Sequence, residues 1–388
     1  MPKQIAYLSQ GRLYLHCEGA PLKEIESEFG KDLQQRRLQI QRKQAMKNRG
    51  IQSMTMSPQM LQQQEQQAEA TSPIFITSLC ALPHNQLLYS LESEDMGGLF
   101  RFDVARDVET RLFHNTEFQV SYLDFDPEQN LIACTKAYKT GSINLATMNP
   151  DAIRPQDITE GDSVDLAPRW IGKQALVYQS AGVSRNDNGY IIARAPFSIE
   201  KFDPVHREVK TLAEDPKSDL LGPQMDASGL LYYIRRPYKD RQGTFNLLQA
   251  LKDILFVPLR LVHAIWGFFN SFTMLFTGKP LITADTKQAM ESPQKLKAWG
   301  EALSPAKLNK KHQQDTEAPS LVPKTWELVR QGIQGVPEVL ATSVLAYDLA
   351  ADGTVVYTNG SGVYCIDTNG QIQRVLIGKM IEAVRFIG

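Results

Sequence analysis

VDLAPRWIGKQALVYQS, residues 164–180, holds two short apolar runs around a polar reversal at IGKQ. Two such runs joined by a turn predict an antiparallel pair of strands. The pattern recurs on both sides. ITSLCALPHNQLLYS (76–90) and VSYLDFDPEQNLIAC (120–134) precede it; LLGPQMDASGLLYYI (220–234) and VLAYDLAADGTVVYT (344–358) come after it. The reversals DPEQN, DASG and AADG carry the residues that tight turns demand. Tyr89, Ala133, Tyr178, Tyr233 and Tyr357 occupy equivalent places in the second strands.

The first three repeats begin at 76, 120 and 164, 44 residues apart. That is the period of a four-stranded propeller blade. Further strands follow most repeats: GLFRFDV after the first, GYIIARA after the third, GVYCID after the last. The ends complement each other. The chain closes on KMIEAVRFIG (379–388), a strand with no partner after it, and opens on three strands at 5–9, 12–17 and 22–25. Open sheet edges are a liability that propellers avoid. The economical expectation is one composite blade made of the last strand and the first three. With five repeats this predicts an all-β, six-bladed β-propeller as a single domain over 1–388, interrupted by two helical insertions at 29–70 and 241–324.

DLAPRWIGKQALVYQSAG (165–182) and YDLAADGTVVYTNGSGVYCIDTNGQ (347–371) resemble the repeats of TolB-like, WD-repeat-like β-propellers. Asp165, Pro168, Trp170, Lys173 and Tyr178 match their D-x-x-P-x-W…K…Y pattern; the Ser-Pro-Asp-Gly turn is reduced to IGKQ. The resemblance implies architecture and a partner-binding platform, since no peptidase domain accompanies the repeats. More distantly, the two insertions resemble those of propeller components of multi-gene bacterial systems that work beside AAA-type ATPases.

The chain has 388 residues, 42% of them hydrophobic, and its 42 basic and 43 acidic residues nearly cancel. A chain-wide field for nucleic acid is therefore excluded. Residues 31–49 are the local exception: Lys31, Arg36, Arg37, Arg42, Lys43, Lys47 and Arg49 face Asp32 alone. A basic helix there suits an anionic partner, with Arg36, Arg37, Arg42 and Lys43 as contact residues. Residues 31–70 lack aromatic side chains for base stacking, which disfavours nucleic acid.

ILFVPLRLVHAIWGFFNSFTMLF, residues 254–276, is the greasiest stretch. A single membrane crossing inside a blade would strand the remaining blades, and Arg260, His263 and Pro258 oppose a span. At helical spacing Gln249, Lys252, Arg260, His263, Asn270 and Ser271 share one face; Leu255, Leu259, Val262, Trp266, Phe269 and Phe272 share the other. This predicts an amphipathic docking element, with Trp266, Phe269, Phe272 and Arg260 as partner contacts. Three covers for its apolar face stay open: the propeller itself, a protein partner, or a peripheral membrane interface. The polar remainder of that insertion predicts short helices, including 294–303, and a flexible loop.

Chemistry-bearing motifs are scarce. The sequence has no GxSxG, P-loop, dinucleotide fingerprint or HExxH. Its six histidines are scattered, and Cys17, Cys80, Cys134 and Cys365 sit in strand-like stretches without a CxxC pair. No catalytic residue, metal or cofactor is expected. Asp124, Asp165, Asp219, Asp348 and Glu382 lie in or beside the expected innermost strands, where they could line a central channel, with Arg169, Arg235 and Arg236 as ion-pair partners. The N-terminus lacks the apolar core of a signal peptide. The reading is a non-enzymatic interaction scaffold of a cytoplasmic bacterial assembly, engaging a protein partner such as an AAA-type ATPase or another product of its gene cluster. The competing classes are a hydrolase or lyase using the channel and a peripheral membrane-associated sensor.

Overall fold

Each of the five repeats folds as an antiparallel meander whose first two strands are the pair read from the sequence. The computed structural model describes residues 4–52, 74–93, 96–116, 118–138, 141–172, 174–186, 191–238, 296–299, 301–303, 317–332 and 335–387. The chain begins with β1 (Gln4–Ser9), β2 (Arg12–His16) and β3 (Lys23–Ile25), followed by helix α1 (Glu28–Gln52). The first repeat gives β4 (Phe75–Leu82), β5 (Gln86–Ser93), β6 (Met96–Asp103) and β7 (Val108–Asn115). The second gives β8 (Val120–Asp126), β9 (Leu131–Ala137), β10 (Ile143–Asn149) and β11 (Ala152–Asp157). The third gives β12 (Ser163–Ile171), β13 (Ala175–Arg185), a side strand β14 (Ile191–Arg194), β15 (Ser198–Asp203) and β16 (Glu208–Ala213). One parallel pairing, Ile143 with Val164, joins the second and third meanders into a nine-stranded sheet.

The fourth repeat starts with β17 (Ser218–Met225) and β18 (Leu231–Pro237). After the hairpin β19 (Leu296–Ala298) and β20 (Glu301–Leu303), it is completed by β21 (Glu327–Gln331) and β22 (Glu338–Thr342). The fifth comprises β23 (Ala346–Leu349), β24 (Val355–Thr358), β25 (Gly362–Ile366) and β26 (Ile372–Ile377), and the last strand is β27 (Ile381–Ile387). β27 pairs antiparallel with β1, from Gln4–Ile387 to Ser9–Ile381, so the sheet order is β27-β1-β2-β3. The orphan strand at the C-terminus thus finds its partner at the N-terminus. Among the described residues no sheet closes on itself.

The turns form where aspartate can fold the backbone onto its own carboxylate. Asp226 accepts the N–H groups of Ser228 and Leu230, Asp126 that of Glu128, and Asp352 that of Thr354. Burial then grades across each sheet. Tyr89, Ala133, Tyr178, Tyr233 and Tyr357 on the second strands are all buried, whereas the last strands β7, β11, β16, β22 and β26 are mostly exposed. Six leading strands lie side by side: β4 against β8, β8 against β12, β12 against β17, β17 against β23, β23 against β27, and β27 against β4.

The basic stretch is helical. Ser27 caps α1 through its Oγ, which accepts the Gly30 N–H at 3.1 Å. Glu109 on β7 takes the next two helix amides, Glu28 and Phe29, and also the hydroxyls of Ser27 and Tyr89. A carboxylate at a helix N-terminus is favourable, so this strand fixes the helix start. Phe29 packs on Phe100 and His114, with the Arg111 guanidinium above its ring.

One expectation is corrected. The described residues within 294–303, where a short helix is expected, are instead strands: β19 and β20 pair as a hairpin. Trp299 has φ 52°, a left-handed conformation that interrupts a helix, and its ring is held by contacts from other strands. Tertiary contact here overrides local propensity. The amphipathic segment 254–276, with Arg260, Trp266, Phe269 and Phe272, lies outside the described residues, as do 53–73. Among the described residues no helix is long and apolar enough to cross a membrane.

Candidate functional site

Three leading strands share one irregularity. The register slips between Ser121 and Asp124 on β8, between Leu166 and Arg169 on β12, and between Leu221 and Gln224 on β17. Inside each slip sits a left-handed residue: Tyr122 (φ 51°), Ala167 (φ 53°) or Gly222 (φ 58°). Such bulges bend a strand and re-aim the side chains beyond the bend. Side chains of the preceding meander satisfy the amides they free. Ser78 Oγ accepts from Leu123, Thr135 Oγ1 from Ala167, and Gln179 Oε1 from Gly222, at 2.9, 3.1 and 2.7 Å.

Asp124, Arg169 and Gln224 come two residues after the left-handed position, and all three reach other leading strands. Arg169 donates to Asp124 Oδ1 at 2.8 Å and to Asp348 Oδ1 at 3.1 Å. The second oxygens are also taken: Asp124 Oδ2 accepts the Trp170 N–H at 2.8 Å and Asp348 Oδ2 the Phe386 N–H at 3.0 Å. Arg385 on β27 lies 3.6 Å from Asp348 and donates to the Val384 and Tyr347 carbonyls. Gln224 spans β17 and β23, donating to the Tyr347 carbonyl and accepting from the Leu349 N–H. Two carboxylates and two guanidiniums therefore make a neutral network across β8, β12, β23 and β27. The four side chains are only 11–16% exposed.

Burial alone would lower the pKa of Arg169, but the carboxylates of Asp124 and Asp348 outweigh it and hold the guanidinium above its ordinary value. Arg385 is pushed down by burial and by the neighbouring Arg169 cation. Cys80 on β4 feels the same charges, yet burial dominates and raises its thiol far above the usual range. Burial likewise pushes Cys134 up to about 12. A raised thiol pKa means little reactive thiolate. In native protein at mildly alkaline pH, a disulfide reagent should titrate the half-buried Cys17 and Cys365 first and reach Cys80 and Cys134 only on unfolding. A single rate for all four thiols in the folded protein would contradict this.

The remaining sequence candidates lie elsewhere. Asp165 is 3% exposed and accepts from the hydroxyls of Ser163 and Ser180. Asp219 is 1% exposed and holds Arg194 through both oxygens, Arg236 through Nε and Nη2, and the Phe197 N–H. Glu382 is half-buried on β27. Arg235 pairs with Glu327 rather than with any of these acids. On α1, Arg36 and Lys43 are exposed, Arg36 lies 4.0 Å from Asp32, and Arg37 is half-buried and donates to Ser93 Oγ; Arg42 lies on the same helix. Among the described residues no group of three or more His, Cys, Asp or Glu is placed to hold a metal ion.

Sequence reasoning missed Arg385, Gln224 and Trp299. The Trp299 ring stacks on Tyr122 at 5.4 Å and 16°, and its Nε1–H donates to the Leu345 carbonyl at 2.8 Å. It fills the space beside Gly222, where any Cβ would overlap the indole.

These sheets, and the network that their leading strands share, make a mostly β molecule with the fold of β-propeller proteins. In particular, it is similar to TolB from Acinetobacter baumannii, with TM-score 0.51 and 11% identity over 99% of this chain and 66% of that one. The chain thus spans just under two-thirds of that structure's length. It is also similar to a chain of the nidogen/laminin complex, with TM-score 0.52 and 8% identity over 99% of this chain and 98% of that one. At such identities the likeness is one of fold. No protein-family model matches the chain, and no curated protein does.

Proposed function

We propose that the chain is a six-bladed, ring-closed β-propeller that acts as a non-enzymatic protein-interaction scaffold. Six sheet units, each led by one strand of the cycle β4-β8-β12-β17-β23-β27, and the β27–β1 pairing support the ring. The observation that carries the scaffold reading is the axial network. All four oxygens of Asp124 and Asp348 already accept bonds from Arg169 or backbone amides. Carboxylates consumed in this way brace the centre instead of offering a general acid or base. Partners then engage the periphery, where α1 leaves β3 with Arg36 and Lys43 exposed. The resemblance of the insertions makes the partner a protein of a bacterial, cytoplasmic multi-gene assembly, with an AAA-type ATPase the first to test. The segment carrying Arg260, Trp266, Phe269 and Phe272 is the second docking element in this reading.

Changing Arg36 and Lys43 to Gln tests it; Arg37 is spared because it bonds Ser93. Exposed charges contribute little to folding, so the melting midpoint should stay near wild type. Capture of the proposed AAA-type ATPase partner should fall and lose its salt dependence. Equal capture by variant and wild type at low and high salt would remove α1 from the docking surface.

A further inference from the structure

We infer that Trp299 is a plug. Its indole occupies a preformed socket at one end of the axial cluster and keeps water from the Asp124–Arg169–Asp348–Arg385 network. The inference rests on the ring reading for what lies beneath the plug, but the socket stands on its own contacts. Three leading strands build it. Tyr122 of β8 offers a ring face, Gly222 of β17 an open space, and Leu345, just before β23, a carbonyl. Tyr122 and Gly222 are both bulge residues with positive φ, each two positions before a side chain that bridges leading strands. The plug and the network are thus adjacent layers on the same strands.

Among the described residues the hairpin that carries Trp299 is small and joins no other sheet, although β19 also lies against β27. β19 and β20 make three residue pairs, all with each other, and form a two-stranded sheet of their own. An isolated hairpin of that size is marginal in water. The indole contributes stacking, a hydrogen bond and the filling of a glycine-sized gap, so it is the anchor of the hairpin. Withdrawing one side chain would therefore open this end of the cluster. The segment 317–326 is fixed differently: Leu321 donates to the Asn359 carbonyl, and its side chain packs where a Gly360 Cβ would stand.

The test is Trp299→Gly in the full chain, with indole itself as the probe. An apolar cavity that fits a small aromatic molecule binds it. The variant should melt lower than wild type, added indole should return part of the loss, and wild type should not respond. Trp299→Phe, which keeps the ring but loses the Nε1–H donor, should fall between the two. If Trp299→Gly does not fold alone, folding that appears only with indole supports the socket equally. A variant indifferent to indole, folded or not, overturns it. The sealing claim is read by amide exchange. In Trp299→Gly the Trp170 and Phe386 amides, which donate into the cluster, and the Leu349 amide, which donates to Gln224 beside it, should exchange roughly tenfold faster or more, while β9 amides keep their rate. Unchanged exchange at those three amides would leave a socket that seals nothing and would overturn the plug. Failure of the ring reading would not abolish the indole response, and failure of the indole response would leave the ring reading untouched.

Discussion

Removing residues 380–388 should unfold the protein, not trim it. β27 edges its sheet, yet its apolar side chains are buried. Ile381 and Val384 are 0% exposed and Ile387 is 5%. Burying three such side chains contributes roughly 1.5–3 kcal/mol each. Their sum approaches the entire stability of an ordinary domain, about 5–15 kcal/mol. The deletion also strips β1 of its partner from Gln4 to Ser9, and it removes Arg385 and the Phe386 amide from Asp348. Asp348 would then keep Arg169 but lose the bond to its second oxygen. The expected result is loss of the cooperative thermal transition and of the aromatic circular-dichroism signal. A truncated chain that melts at the wild-type midpoint would show that β27 closes nothing.

That strand was legible in the sequence for a simple reason. An apolar run with no partner downstream must pair upstream, and only the N-terminal strands lacked a leading neighbour. Three of the five repeat turns carry aspartate, which made their meanders legible, and Asp126, Asp226 and Asp352 do fold the backbone onto their carboxylates. The axial acids were only half legible. Asp124, Asp165, Asp219 and Asp348 all belong to leading strands, yet only Asp124 and Asp348 meet. The bulge explains the difference between the first two. Asp124 comes after the left-handed Tyr122, whereas Asp165 precedes the left-handed Ala167, so the re-aiming of the strand carries Arg169, not Asp165, to the place equivalent to Asp124. Asp219 likewise precedes Gly222. Tyr122 and Ala167 have nothing in their chemistry that announces a positive φ, so the register slip left no trace in the pattern. Trp299 was hidden differently. It stands in a polar, charged run whose local preference is helical, and its conformation is set by Tyr122 and Leu345, far away in sequence.

Asp219 should prove the most costly point substitution. It hydrogen-bonds two arginines, and its side chain is 2% exposed against 11% for Asp348 and 16% for Asp124. Asp219→Ala leaves the Phe197 amide without its acceptor and leaves Arg236, itself 3% exposed, as a buried cation beside Trp326. Breaking a buried pair by removing one partner costs about 3–5 kcal/mol. Arg194 is 24% exposed and can turn toward solvent, so most of the penalty falls on Arg236. This makes the loss non-additive. Arg236→Met in the Asp219→Ala background removes a buried charge that has lost its carboxylate while keeping much of the side chain's volume, and it should recover about 1–2 kcal/mol. Arg236→Met alone should destabilise, because Asp219 would keep Arg194 but lose its more buried partner. Denaturant unfolding of wild type, both single variants and the double variant reads the cycle directly. If the double variant is less stable than Asp219→Ala alone, the cost lies in lost packing around Arg236, and the account from the lost carboxylate fails.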